Sequence, residues 1–196
     1  MHYEIERKFL VLNDDYKRMA TSKADIRQGY IAATAGRTVR IRLRCDTPLT
    51  PVHGEPVEPL PSPLPNRGGA GGGAAFLTIK GPTLPSLTGE GSGVGPGLAR
   101  YEFETEVPLD DARQLLHLCP TPFIDKTRWL VPMDDGHIFE VDEFHGLNDG
   151  LVIAEVELQA EDEPFTRPPF LGQEVTGDRR YYNSHLTMNP YQKWGG

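Results

Sequence analysis

Residues 39–44 read Val-Arg-Ile-Arg-Leu-Arg, and this strict alternation of apolar and charged side chains decides the fold. Residues two apart in a β-strand share a face, so Arg40, Arg42 and Arg44 point to one side and the apolar residues to the other. Three arginines in a row repel one another unless an anion lies among them. The stretch therefore predicts a strand with one apolar face and one face suited to an anion.

The same alternation recurs in six other segments, and the charges on a given strand are mostly of one sign. A solvated sheet face is common, but it usually mixes both signs with small polar residues. Carboxylates in a row repel one another just as the three arginines do, and divalent cations bound among them relieve this repulsion. The residues on these charged faces are Glu4, Glu6, Lys8, Lys80, Glu102, Glu104, Glu106, Lys126, Arg128, Glu140, Asp142, Glu155 and Glu157.

The strand pattern predicts an α+β fold, an eight-stranded antiparallel β-barrel tunnel with helices packed outside and the charges inside. Helices are expected at 14–23, 110–118 and 181–188. Two Pro/Gly-rich stretches, about 46–75 and 82–98, lack apolar periodicity and are predicted to be loop insertions in a single domain spanning 1–196. The predicted strands are 2–11, 27–34, 37–45, 76–81, 99–107, 123–131, 137–144 and 151–160.

The overall charge restricts the partners. A formal net charge of -8 argues against a nucleic-acid coat or an anionic membrane surface as partner, although cations gathered in one place can still bind an anion. The charged start and the absence of an apolar run near ~18 residues predict a cytoplasmic protein without a membrane span. The sequence leaves a homodimer open, since no interface is specified.

The two kinds of charged strand together suggest the ligand. Arginine suits phosphate because its planar fork donates two hydrogen bonds at once. Ligand sets made of carboxylate oxygens, without Cys or His, favour Mg²⁺ or Mn²⁺ over zinc. A polyphosphate with Mg²⁺ or Mn²⁺ is therefore the natural small-molecule occupant of the barrel.

The residues resemble a known family, the CYTH superfamily of triphosphate tunnel metalloenzymes. Glu4-Ile5-Glu6-Arg7-Lys8 matches its N-terminal E-x-E-x-K signature, which is weak alone but lies at the expected place. The resemblance covers the chain outside the two low-complexity loops, and it is to short bacterial members associated with tripolyphosphatase activity. The other matching segments, in the family's order, are 28–30, 39–44, 78–80, 100–104, 125–128, 139–142, 154–157 and 172–181.

The resemblance implies an eight-stranded tunnel, a requirement for Mg²⁺ or Mn²⁺, and roles for individual residues. It implies metal ligands at Glu4, Glu6, Glu155 and Glu157, and it leaves Glu102, Glu104 and Asp142 either to complete a second metal site or to orient the cations. Arg40 either binds phosphate or is solvated, and Tyr30 either caps the phosphate chain or packs. The phosphate-binding residues that it implies are Lys8, Arg40, Arg42, Arg44, Lys80, Lys126, Arg128 and Tyr30.

The expected reaction is hydrolysis of inorganic tripolyphosphate by metal-activated water, with catalytic residues among Lys80, Lys126 and Glu157. Either lysine would stabilise the leaving phosphate. Thiamine triphosphate is a less favoured substrate because no aromatic clamp is evident. Class IV adenylate cyclases carry an H-x-R-F type motif where this chain has Gln28-Gly29-Tyr30, which argues against cyclisation. A non-catalytic polyphosphate or nucleotide-binding module is the alternative from another class.

Overall fold

The computed structural model of the protein describes residues 3–34, 36–48, 73–85 and 96–195. Within these residues nine strands and three α-helices follow one another along the chain. Their bounds are β1 Tyr3–Val11, α1 Asp15–Met19, β2 Ser22–Thr34, β3 Arg37–Pro48, β4 Gly73–Pro85, β5 Pro96–Glu106, α2 Leu109–His117, β6 Ile124–Pro132, β7 Ile138–Phe144, β8 Val152–Leu158, β9 Leu171–Glu174 and α3 Asn183–Leu186.

Eight of the strands form a closed antiparallel barrel. The order β5-β4-β3-β2-β6-β7-β8-β1 returns to its start because β1 also pairs with β5. That closing seam is short, since it joins Glu4 to Arg100 and one residue pair on either side. Beyond the seam, the same edge of β1 pairs with β9, which adds a ninth strand outside the barrel. The predicted eight-stranded antiparallel barrel with helices is confirmed.

The outer surface of the barrel is covered by separate apolar layers. Tyr16 of α1 is fully buried against Trp129 and Phe170, while Ala112 and Leu116 of α2 pack on Ile41 of β3. A large aliphatic side chain such as Ile41 or Leu116 contributes about 1.5–3 kcal/mol when it leaves water. These layers cover much of the outer surface, although Ile79, Tyr101 and Phe103 on the outer faces of β4 and β5 stay 41%, 44% and 45% exposed. The charged faces of the strands line the interior.

The interior itself is divided into a charged part and an apolar end. Ile124, Phe144 and Ile153 lie on the same inward faces as the charged residues of β6, β7 and β8, but one step further along. Leu186 of α3 packs against them, and all four side chains are at most 3% exposed. The C-terminal segment therefore closes one end of the barrel with hydrophobic contacts.

Several predicted boundaries differ from the structure. β2 begins at Ser22 rather than 27, and α1 ends at Met19 rather than 23. In the first half of β2 the inward residue Ile26 is apolar and the charged Asp25 lies outside. A search for inward charges therefore misses this part of the strand. β9 has only four residues, too few for a visible alternation, and α3 is shorter than the predicted 181–188.

The strands also extend into both predicted loops. β3 continues to Pro48, β4 spans Gly73–Pro85 and β5 starts at Pro96. The predicted insertions at 46–75 and 82–98 are therefore shorter at both ends, and their central parts, 49–72 and 86–95, lie outside the described residues.

None of the helices in the described residues is long and apolar enough to cross a membrane.

The close approach of α2 to β2 requires a glycine. A Cβ at Gly29 would lie 2.6 Å from Cys119 Sγ and 3.1 Å from the side chains of Leu116 and Phe123. We expect Gly29→Ala to lower the free energy of unfolding by about 1–3 kcal/mol, because overpacking forces these neighbours out of position. Urea denaturation of the variant and the wild type measures the difference.

Gly73→Ala is the matched control for this prediction. Its Cβ would meet Arg44 O at 3.5 Å, which is ordinary van der Waals contact. The substitution should be neutral or slightly stabilising, since alanine loses less backbone entropy on folding than glycine. Equal effects at the two positions would show that close packing at Gly29 does not matter.

Candidate functional site

The charged part of the barrel interior encloses a cavity of about 230 Å³. Carboxylates, guanidinium groups and ammonium groups dominate its wall, and two tyrosines are the aromatic members. The residues that line it are Glu4, Glu6, Lys8, Tyr30, Thr38, Arg40, Arg42, Arg44, Lys80, Arg100, Glu102, Glu104, Arg128, Glu140, Glu155, Glu157, Tyr182, Asn183 and Ser184.

Strand register places opposite charges directly opposite one another on neighbouring strands. Lys8 of β1 lies opposite Glu155 of β8, and Lys80 of β4 lies opposite Glu102 of β5. Directly opposed side chains of opposite charge stabilise an antiparallel pair. At Glu6 and Glu157, however, the register opposes two carboxylates, so this position lacks such compensation.

The basic wall centres on Arg40 and Arg42 of β3. Arg42 Nη2 donates to Glu104 Oε2 over 2.6 Å, and Arg40 Nη2 donates to Thr78 Oγ1 over 3.0 Å. Burial, together with the positive charge of Arg40, lowers the pKa of Arg42 to about 10. The Nε atoms of both arginines are buried and have no hydrogen-bond partner among the described residues.

Those unsatisfied arginine donors suit an anion. A buried donor without a partner costs about 1–3 kcal/mol, which a phosphate oxygen at that position would recover. Arginine also binds phosphate with paired hydrogen bonds. The basic wall therefore has both the charge and the free donors for a polyphosphate.

The acidic wall is centred on Glu4 and Glu6 of β1. Lys80 Nζ lies 2.8 Å from Glu4 Oε2, and Arg100 lies 3.0 Å from Glu4 and 2.7 Å from Glu6. Burial alone would raise the pKa of Glu4, but the charges of Lys80 and Arg100 hold it well below its ordinary value. Glu102, whose carboxyl is buried and shares a hydrogen bond with Glu4, has its pKa raised to about 7.

A buried ion-pair network supports the floor of the cavity. Asp142 accepts two hydrogen bonds of 2.7 Å from the guanidinium of Arg128, and it also pairs with Lys126. Arg128 reaches Glu140 and Glu155 as well. Burial and the neighbouring Arg128 lower the pKa of Lys126 to about 8. The network fixes Arg128 at the cavity wall.

Glu157 differs from the other interior carboxylates. No cation of the described residues forms an ion pair with it, whereas Glu4, Glu6 and Glu155 each have at least two such partners. Burial, and then the negative charges of Glu140, Glu4 and Glu6, raise the pKa of Glu157. A cation beside Glu157 would relieve this repulsion.

The donor chemistry fits a divalent metal ion. Glu4, Glu6 and Glu157 supply oxygen ligands only, as Mg²⁺ and Mn²⁺ prefer. In the part of the chain that the structure describes, no three carboxylates converge into a ready-made site. Glu4 and Glu6 instead turn to lysine and arginine, so these carboxylates would have to exchange partners to hold a metal.

The structure brings nearly all of the sequence-predicted site residues to one cavity. Only Lys126 and Asp142 are absent from its lining, because both are buried beneath Arg128 with 1% of each side chain exposed. Sequence reasoning assigned no site role to six of the lining residues, although it placed Glu140 on a charged strand face. They are Thr38, Arg100, Glu140, Tyr182, Asn183 and Ser184.

Two of the missed residues carried a detectable signal. Arg100 lies two positions before Glu102, and Glu140 two positions before Asp142, so alternation places each pair on one face. Arg100 was not assigned to the site because it is a single cation at the start of an acidic strand. Nothing in the sequence indicates that Tyr182 to Ser184 fold back to the cavity.

The fold and the site define a class of protein, the antiparallel tunnel barrel whose interior carries an acidic and a basic wall. A sequence model of the CYTH domain matches residues 2–184. The chain therefore belongs to the CYTH family.

Individual relatives are similar over nearly their whole length. The chain is 36% identical over 195 residues to an inorganic triphosphatase of Acetivibrio thermocellus, covering 99% of both proteins. It is 30% identical over 188 residues to an inorganic triphosphatase of Nitrosomonas europaea, covering 95% of this chain and 97% of the relative. A crystal structure of an inorganic triphosphatase superposes with a TM-score of 0.53 at 27% identity, covering 96% of each chain.

Proposed function

We propose that this protein is a metal-dependent inorganic triphosphatase that cleaves tripolyphosphate into pyrophosphate and orthophosphate. The observation that carries the proposal is the cavity, in which buried arginines with unsatisfied donors face a cluster of carboxylates. The relatives described as inorganic triphosphatases support it. Mg²⁺ or Mn²⁺ is the metal that we propose, because the acidic wall offers carboxylate oxygens alone.

The chain's own residues would bind and align the substrate. Arg40 and Arg42 hold phosphate oxygens, while Arg128 is kept in position by Asp142. Glu157, with Glu4 and Glu6, would hold the metal, which when bound supplies charge neutralisation and acidifies a water molecule. Water attacks the terminal phosphorus and gives its proton to a carboxylate of the cavity, and the anhydride P–O bond breaks so that its electron pair leaves with pyrophosphate.

Lys80 is better placed than Lys126 to stabilise the leaving group. Lys80 lines the cavity with 12% of its side chain exposed, whereas Lys126 does not line it and only 1% of its side chain is exposed. Fixed positive charge where negative charge develops lowers the barrier without reorganisation. We therefore assign Lys80 to the leaving phosphate and Lys126 to positioning Arg128 through Asp142.

The size and lining of the cavity favour an inorganic substrate. Pockets for drug-sized organic ligands usually measure about 300–1,000 Å³ and are mostly apolar. This cavity is smaller, at about 230 Å³, and Tyr30 and Tyr182 are its aromatic lining residues in the described chain. It thus offers little to an adenine or thiamine moiety, which disfavours the cyclase and thiamine triphosphatase alternatives.

The direct test is phosphate release by the purified protein. We expect release from tripolyphosphate with Mg²⁺ or Mn²⁺, much slower release from ATP and thiamine triphosphate, and none with EDTA. Formation of cyclic AMP and pyrophosphate from ATP would instead indicate a cyclase. Tight tripolyphosphate binding without release under any metal would leave the non-catalytic binding module.

A further inference from the structure

Arg100 is the residue that joins the two carboxylates of the acidic wall. Its Nε donates to Glu4 Oε2 over 3.0 Å and its Nη2 donates to Glu6 Oε1 over 2.7 Å. The side chain is 23% exposed, and it reaches the cavity from β5, directly opposite Glu4 at the closing seam. One guanidinium therefore contacts both of the carboxylates that β1 offers to a metal.

A metal ion and Arg100 would compete for the same two carboxylates. A divalent cation bound to Glu4 and Glu6 would neutralise the negative charge that Arg100 now neutralises, and it would repel the guanidinium at close range. Lys8 and Lys80 also contact these carboxylates, but each contacts one of them and has another partner, Glu155 or Glu102. Arg100 is thus the group that must leave both oxygens.

The destination of Arg100 depends on the substrate. The cavity already holds Arg40 and Arg42, whose positive charges oppose a third unpaired guanidinium. A triphosphate in the cavity would give the displaced Arg100 a phosphate oxygen as its new partner, in the geometry that arginine prefers. Metal binding is therefore costly without triphosphate and favourable with it.

We propose that Arg100 is a displaceable counter-ion that couples metal binding to triphosphate binding. It holds Glu4 and Glu6 until metal and substrate arrive together, and it then moves to the substrate. By linkage, each ligand raises the affinity of the other by the same factor, which for such couplings is typically about 5–150-fold. The inference rests on the proposed function, because it assumes that metal and triphosphate share the cavity.

The test is a direct titration with Mn²⁺, followed by the electron paramagnetic resonance signal of free Mn²⁺. It is carried out with and without a non-hydrolysable imido analogue of tripolyphosphate. In Arg100→Gln we expect Mn²⁺ alone to bind about 10-fold more tightly than in the wild type, because Glu4 and Glu6 no longer have to release a cation. The increase in Mn²⁺ affinity that the analogue causes should shrink correspondingly.

Arg27→Gln is the matched control, since Arg27 also donates two hydrogen bonds to a carboxylate, that of Asp125, but does not line the cavity. Its Mn²⁺ affinity without the analogue should equal that of the wild type. If Arg100→Gln does not fold, Arg100→Lys keeps the charge but cannot reach both carboxylates, and it should bind Mn²⁺ alone about 3-fold more tightly.

Unchanged or weaker binding of Mn²⁺ alone in a folded Arg100 variant would overturn the inference, because Arg100 would then be a phosphate ligand or a structural residue only. The titration needs no turnover. Absence of phosphate release together with the expected Mn²⁺ shift would therefore refute the proposed hydrolysis and not the counter-ion role.

Discussion

Replacement of Asp142 by alanine is expected to lower the free energy of unfolding by about 3–5 kcal/mol. Removing one partner of a buried ion pair leaves uncompensated charge, and this costs far more than the pair contributes. Here two cations lose a partner, since Lys126 is 2% exposed and Arg128 is 7% exposed. Urea denaturation at neutral pH, followed by tryptophan fluorescence, measures the loss.

Asp110→Ala is the control for this prediction. Asp110 pairs with Arg113 on the surface of α2, and 91% of its side chain is exposed. Exposed ion pairs contribute about 0–1 kcal/mol, so this variant should stay close to the wild type. A loss at Asp142 as small as that at Asp110 would mean that the buried network tolerates an unpaired cation.

Glu157→Gln is expected to lower the rate of tripolyphosphate hydrolysis by about 100-fold or more while raising the stability of the protein at pH 7. Mutation of residues that only orient metal ligands lowers metal affinity or activity by about 10–100-fold. Loss of a ligand itself should lower activity at least as much. Steady-state phosphate release with Mg²⁺ and with Mn²⁺ measures the first effect.

The gain in stability follows from the raised pKa of Glu157. A carboxyl whose pKa is higher in the folded state binds more protons there than in the unfolded state. Stability therefore falls as pH rises from the unfolded-state pKa through the raised folded-state pKa, and the penalty is complete above the latter. Glutamine carries no such penalty, so the metal-free variant should unfold at a higher temperature than the wild type.

Glu106→Gln provides the comparison, because Glu106 is exposed and does not line the charged cavity. It should change neither hydrolysis nor unfolding temperature appreciably. A destabilised Glu157→Gln would contradict the idea that Glu157 is held in an unrelieved cluster of negative charge.

The sequence predicts the barrel well because its periodicity is strong where the interior is charged. Arg40, Arg42 and Arg44 on β3 stand against apolar neighbours, so both the strand and its inward face can be read from them. The same argument fails in the first half of β2, where Ile26 faces inward and Asp25 outward. The predicted strand therefore begins at 27, five residues after the observed start at Ser22.

The site is predictable to the extent that it consists of alternating charges. The sequence identifies the residue types but not which of two lysines reaches the cavity, because Lys80 and Lys126 both lie on the charged faces of their strands. The two lysines differ in their depth along the barrel axis, and this depth depends on the pairing register of their strands. The contribution of Asn183 comes from the path of the C-terminal segment, which packs through Leu186 on an apolar end that has no charged signature.

The pairing of β1 has a consequence for how the chain is made. Glu6 and Lys8 are synthesised before β8, with 147 residues separating Lys8 from Glu155. At about 5–20 residues per second, roughly 7–30 s pass on the ribosome before β1 meets this neighbour. During that interval the charges of β1 would discourage pairing with other nascent chains.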